Sequence, residues 1–159
     1  MDRLRALFEG LELSNVETFI ASGNVLFDTS CRSAPALERR VEKHLQTSLG
    51  YDVATFIRSA SAVQRIAAHE PFPVAVMAKP YHALYVSFLR DAPTAAAKRA
   101  VEALRSQDHD FHVHERELYW LCRIGFGESK ISGAKLEKAL GMPATIRNVT
   151  TVRKLAAKC

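Results

Sequence analysis

IRSASAVQRIAAH at residues 57–69 and IRNVTTVRKLAAK at residues 146–158 say nearly the same thing twice. Ile, Arg, Val, Ala and Ala recur in identical places, while Arg65 is answered by Lys154, Ile66 by Leu155 and Ser59 by Asn148. Each copy reads as a strand end running into a helix, because Ser and Asn side chains accept a free N–H of a helical first turn. A repeated strand-to-helix element implies a repeated unit around it.

Outward from the second copy, ALYVSFL (83–89) reads as a strand and PTAAAKRAVEALRS as a helix with Ala97, Ala100, Val101 and Leu104 on its inner side. DFHVHE and ELYWLC form a hairpin around Glu115-Arg116, with Phe111, Val113, Leu118 and Trp120 on the core face. His112, His114, Tyr119 and Leu121 then share the other face. A glycine-bearing loop, RIGFGES, leads to the helix SGAKLEKALG, capped by Ser132 and closed by Gly141, and to the strand ATIR. The order is β-α-β-β-α-β-α.

Outward from the first copy, Leu4, Leu7, Phe8 and Leu11 make a helical stripe, and VETFI and NVLFD pair around Ser22-Gly23. SAPALERRVEKHLQTSLG is a helix capped by Ser33 and ended by Gly50, VATFIR (53–58) a strand, and Ser59 to Ala68 a helix. This is the same string without its opening strand, and Leu49-Gly50 even matches Leu140-Gly141. The fold expected is α+β: two tandem ferredoxin-like (βαββαβ) subdomains from an internal duplication, the first missing its opening strand. Residues 1–70 form the first subdomain, the proline-rich stretch 71–81 the linker, and residues 82–159 the second, basic subdomain. The absent strand would be central, so either a start about twenty residues upstream or a strand-donating neighbour is expected to fill its place.

Several ordered stretches (FIASGNVLF, EPFP, LYVSFL, RELYW, GFGESK, LGMPATIRN and TVRKLAA) resemble the bacterial family known as domain of unknown function 1697. The resemblance implies a duplicated α+β unit and carries no established activity, substrate or cofactor. Members of that family typically open with a strand and a glycine-containing loop ahead of the helix that begins here at Met1. Val149-Thr150 stands where Trp-Asn is usual, removing an aromatic that could stack on a base, and Phe19 and Ala21 stand where Tyr and Gln are usual.

The bulk composition bounds the function. With 48% apolar and 25% charged residues the chain is an ordinary globular protein, and no apolar run approaches the ~20 residues of a membrane span. Cys31, Cys122 and Cys159 lack CxxC spacing, which points to reduced thiols in a cytoplasmic setting rather than a disulfide framework or a zinc site. The net charge of +5 lies wholly in the second half, and the final thirty residues hold seven basic side chains against Glu137 alone. That asymmetry favours an anionic partner, a small molecule or nucleic acid, and no membrane.

Two motifs suit an anion. Arg147, Asn148, Thr150 and Thr151 sit where a strand enters a helix, whose N-terminus favours negative charge. Ser129 and Lys130, in GFGESKIS, precede another helix. Ser22, Gly23, Asn24, Arg58 and Ser59 are their secondary counterparts in the first half. No catalytic residue, cofactor or metal site is expected: His112 and His114 share a strand face without a visible third ligand, and Cys122 lies on the face opposite His114. The reading is a non-enzymatic module that binds a nucleotide or nucleic acid through its basic half. The alternatives are a small enzyme acting on a phosphorylated metabolite, with Lys130 and Arg147 as clamps, and a structural homo-oligomer pairing through sheet faces.

Overall fold

The computed structural model describes residues 1–20 and 22–159, so the substitution at Ala21 lies outside the described residues. The fold is mixed α+β, with two antiparallel sheets. The chain divides into two compact units, Met1–Arg58 and Ser59–Cys159. Among the described residues no helix is long and apolar enough to cross a membrane.

The first unit comprises α1 (Asp2–Glu9), β1 (Ser14–Phe19), β2 (Asn24–Asp28) and α2 (Ala34–Leu49). β1 and β2 pair antiparallel, and Gly23 supplies the positive φ (76°) their tight turn requires. Ser33 caps α2 by accepting the Ala36 N–H, Pro35 occupies the first turn, and Gly50 ends the helix in the left-handed conformation. The apolar stripes of α1 and α2 meet in a core of Phe8, Leu11, Leu13, Val16, Leu37, Val41 and Leu45.

Residues 53–58, expected to be a strand, are not one. Among the described residues the sheet of this unit holds β1 and β2 only, so the segment has no ladder to join. Side chains of α2 take its amides instead: Thr55 N–H donates to Glu42 Oε1 and Ile57 N–H to Glu38 Oε1, each at 2.8 Å. Strand pairing is a property of two segments, and a β-rich sequence without a neighbour finds other acceptors.

The second unit comprises α3 (Ala60–Ala68), α4 (Val74–Met77), β3 (Ala83–Leu89), α5 (Ala95–Glu102), β4 (His109–His114), β5 (Glu117–Cys122), a 3₁₀ turn (Phe126–Glu128), α6 (Gly133–Leu140), β6 (Ala144–Asn148) and α7 (Val149–Lys158). Its four strands run β4-β5-β3-β6, each antiparallel to its neighbour. The hairpin takes the expected register, with Phe111 opposite Trp120 and His112 opposite Tyr119. One face buries Leu89, Phe111, Leu118, Trp120 and Cys122 against Val101 of α5 and Leu136 and Leu140 of α6.

The other face is closed as well. Tyr119 and Leu121 are fully buried, and the Tyr119 hydroxyl donates to the Ile66 carbonyl of α3 at 3.2 Å. A base-stacking surface of the RNA-binding kind needs an open sheet face, and this sheet offers none for Tyr119 to serve.

The twin segments 57–69 and 146–158 behave alike locally. Ser59 accepts the Ala62 N–H, Asn148 accepts the Thr150 N–H, and Arg58 and Arg147 each donate to the carbonyl of the isoleucine before them. α3 and α7 also pack against each other. That pairing draws α3 into the second unit, so the boundary falls at Arg58–Ser59 instead of within the proline-rich stretch 71–81, where α4 forms.

Candidate functional site

The residues proposed from sequence do not gather in one place. Arg147 stands on β6, an edge strand, paired with Val86. Its guanidinium donates to Thr145 Oγ1 (2.7 Å) and the Ile146 carbonyl, and burial lowers its pKa from the ordinary value. Asn148 is occupied by capping α7 and by a hydrogen bond with Tyr85. Thr150 is exposed and Thr151 half-buried in the first turn of that helix. In the first unit, Ser22 and Asn24 bond each other across the Gly23 turn at 2.8 Å, which is turn chemistry.

Lys130 lies elsewhere, on an open cleft of about 290 Å³ whose walls include Ser106, Asp108, His109, Glu128 and Lys135. Neither Arg147 nor Asn148 belongs to that wall, so the single anion cleft expected from sequence separates into parts. Four hydrogen bonds build the cleft. The turn after α5 is closed by Ser106 N–H donating to the His109 carbonyl, and Asp108 N–H donates to Ser106 Oγ. Arg123, just past β5, donates its N–H to the Asp108 carbonyl. Ser132 caps α6 by accepting the Lys135 N–H, which sets Lys135 in the first turn.

His109 at the start of β4 is the fixed point. It is buried, and its Nδ1 accepts the Trp120 indole N–H at 3.1 Å. Indole nitrogen only donates, so the imidazole proton must sit on Nε2, which faces Ser129 Oγ at 3.3 Å. Ser129 Oγ also accepts the Ile131 N–H and donates to the Ile131 carbonyl. Its hydrogen-bonding capacity is therefore spent on the loop, and this predicted ligand contact is a loop-building residue instead.

Burial is the main reason the His109 pKa is lowered; Arg123 and Lys135 push the same way, and Asp108 opposes them. A histidine that stays neutral when folded contributes stability that is fully present above its unfolded pKa, ordinarily 6.5. As pH falls through that value the unfolded chain takes a proton the folded chain refuses, and stability drops towards the lowered folded pKa. Urea midpoints measured between pH 7.5 and 5.5 should fall with pH, and His109→Gln should flatten that slope. A slope unchanged by the substitution would show that His109 does not titrate differently on folding.

Sequence reasoning missed Lys135, Ser106 and His109 as cleft residues. Only the capping serine before Lys135 signalled that its ammonium would be held at a helix start. Metal-ligating side chains converge on the opposite face of the sheet, where His112 and His114 meet a third histidine, His69.

A model of the family described as "Protein of unknown function (DUF1697)" matches residues 1–119. No curated protein matches the chain. Among solved structures, the conserved bacterial protein SP0830 from Streptococcus pneumoniae is similar, with a TM-score of 0.73 at 19% identity. The alignment covers 99% of this chain and 87% of the other. At that identity the likeness concerns the fold alone.

Proposed function

Because the chain belongs to the DUF1697 family of proteins of unknown function, activity has to be argued from geometry, and we propose a non-enzymatic module that binds a small anionic ligand in the cleft beside Lys130. The observation that carries this reading is the pair of exposed lysines, Lys130 and Lys135, bordering one cleft. Two lysines on one cleft, one from a loop and one from a helix start, suit a phosphate or carboxylate, with the first turn of α6 adding its partial positive charge. Asp108 and Glu128 on the same wall accept hydrogen bonds, which suits a ligand that also carries donors, such as a nucleotide.

The size of the cleft, near the lower end of ligand pockets, favours a small molecule over a polymer. Binding is favoured over catalysis by His109, whose two ring nitrogens are both engaged and so cannot exchange protons with a ligand. The fold reading that accompanies the proposal is a duplicated ferredoxin-like unit. The β-α-β-β-α-β succession and the order β6-β3-β5-β4 support it for the second unit. The hairpin followed by α2 supports it for the first.

Calorimetric titration with mononucleotides, inorganic phosphate and a single-stranded oligonucleotide tests the proposal. A mononucleotide should saturate one site, and Lys130→Ala and Lys135→Ala should each weaken it about tenfold, or ~1.4 kcal/mol. Affinity should change little with salt, since few charges are neutralised. Steep salt dependence with preference for the oligonucleotide, or affinity indifferent to both substitutions, would overturn it.

A further inference from the structure

We propose that His69, His112 and His114 form a three-imidazole site for a divalent late transition-metal ion, zinc foremost, with a fourth coordination position open. His112 and His114 are two residues apart on β4, so both side chains leave the same face of the sheet. His69 reaches them from the residue that ends α3, more than forty positions earlier in the chain. One ligand nitrogen from each ring lies within 4.8 Å of the others. Zinc–nitrogen bonds of about 2.0–2.1 Å at tetrahedral angles put ligand nitrogens roughly 3.3 Å apart, so the three rings would have to turn and draw together on binding.

The convergence is built, not incidental. The Tyr119 hydroxyl is bonded to the Ile66 carbonyl, which ties the last turn of α3 to the sheet three residues before His69. The Tyr119 ring lies 4.9 Å from the His69 ring, and Phe72 meets His112 edge-on at 6.4 Å. These apolar neighbours make a low-dielectric wall on one side of the cluster. On the other, His114 stands directly across the ladder from Glu117, a buried carboxyl side chain of the kind that orients metal-ligating imidazoles.

A second, independent observation points to a ligand. His69 Nε2 is buried and has no hydrogen-bond partner. Buried polar atoms are nearly always paired, and an orphan imidazole nitrogen on a ring of this cluster is what a metal ion would satisfy. The rings also lie nearly parallel, His69 to His114 at 4.2 Å and 12°. Nitrogen donors without thiolate or several carboxylates select zinc and its late first-row neighbours over magnesium or calcium.

The site differs from the twin segment at the end of the chain in one telling respect. Lys158 occupies the position that corresponds to His69.

The test is zinc titration of the full chain after chelator treatment, read by calorimetry and by thermal shift, with cobalt(II) absorption as the geometric readout. One equivalent of zinc should bind and raise the melting temperature, magnesium should not, and cobalt should show the intense visible bands of a tetrahedral ion. His69→Gln and His112→Gln should each weaken zinc at least about tenfold, while His82→Gln, whose ring bonds the Val76 carbonyl, should leave it unchanged. Two variants guard against one failing to fold. Absence of saturable zinc binding, or zinc binding that survives both substitutions but is lost in Cys159→Ser, would overturn the proposal.

Discussion

Trp120→Ala should destabilise the second unit by about 3–5 kcal/mol, a large share of the ~5–15 kcal/mol that holds a typical domain. Trp120 is fully buried at the centre of β5, with Tyr85 and Phe111 rings at 5.2 and 6.3 Å. Truncation removes that apolar area and leaves a cavity between the sheet and its covering helices. It also strips the donor from His109 Nδ1, so a buried acceptor loses its partner. Trp120→Phe separates the two effects: it keeps most of the packing and should cost only about 1–3 kcal/mol. Urea unfolding followed by circular dichroism measures both. A loss below about 1 kcal/mol for the alanine variant would mean that the core tolerates collapse around this position.

The second large effect lies in the first unit. Glu38 is a buried acid on α2 whose Oε1 takes the Ile57 N–H at 2.8 Å. Glu38→Ala leaves that amide without its acceptor and opens a gap where the side chain stood, together about 2–3 kcal/mol. Glu38→Gln keeps an amide oxygen in reach and should recover most of the loss. Hydrogen exchange at Ile57 reads the contact directly: protection should fall sharply in the alanine variant and little in the glutamine variant. Equal protection in all three proteins would show that the carboxyl is not what holds residues 53–58.

These two positions also show why the fold was partly legible in the sequence. Helix ends were readable because capping is local: Ser33, Ser59, Ser132 and Asn148 all accept the N–H groups their positions suggested. The β4–β5 register was readable because alternation of Phe111 and Val113 with histidines allows one pairing only. Residues 53–58 were not readable, since their β-rich composition says nothing about whether a neighbouring strand exists. Nor could composition show that Glu38 and Glu42 would face those amides.

The candidate sites divide along the same line. Lys130 was visible as part of a glycine-bearing loop before a helix. The engagement of Ser129 by His109 and Ile131 was not, because it depends on where a residue twenty positions earlier ends up. His112 and His114 were legible as a pair from strand periodicity. His69 was hidden because α3 looked like the closing helix of the first repeat, whereas its packing against α7 and the Tyr119–Ile66 hydrogen bond bring the residue that follows it to β4. A third ligand from a distant segment leaves no spacing motif.

The two sites lie on opposite faces of one sheet, and histidine-resolved ¹⁵N NMR of the full chain, with a mononucleotide and zinc added in turn, tests that arrangement most directly. Before any addition His109 should show a single neutral tautomer protonated at Nε2. The nucleotide should then perturb His109 and the Lys130 and Lys135 amides while leaving His69, His112 and His114 unmoved, and zinc should shift those three rings alone. Zinc signals confined to other histidines or to the cysteines, or a nucleotide that moves no resonance of the cleft, would contradict a molecule built around these two sites.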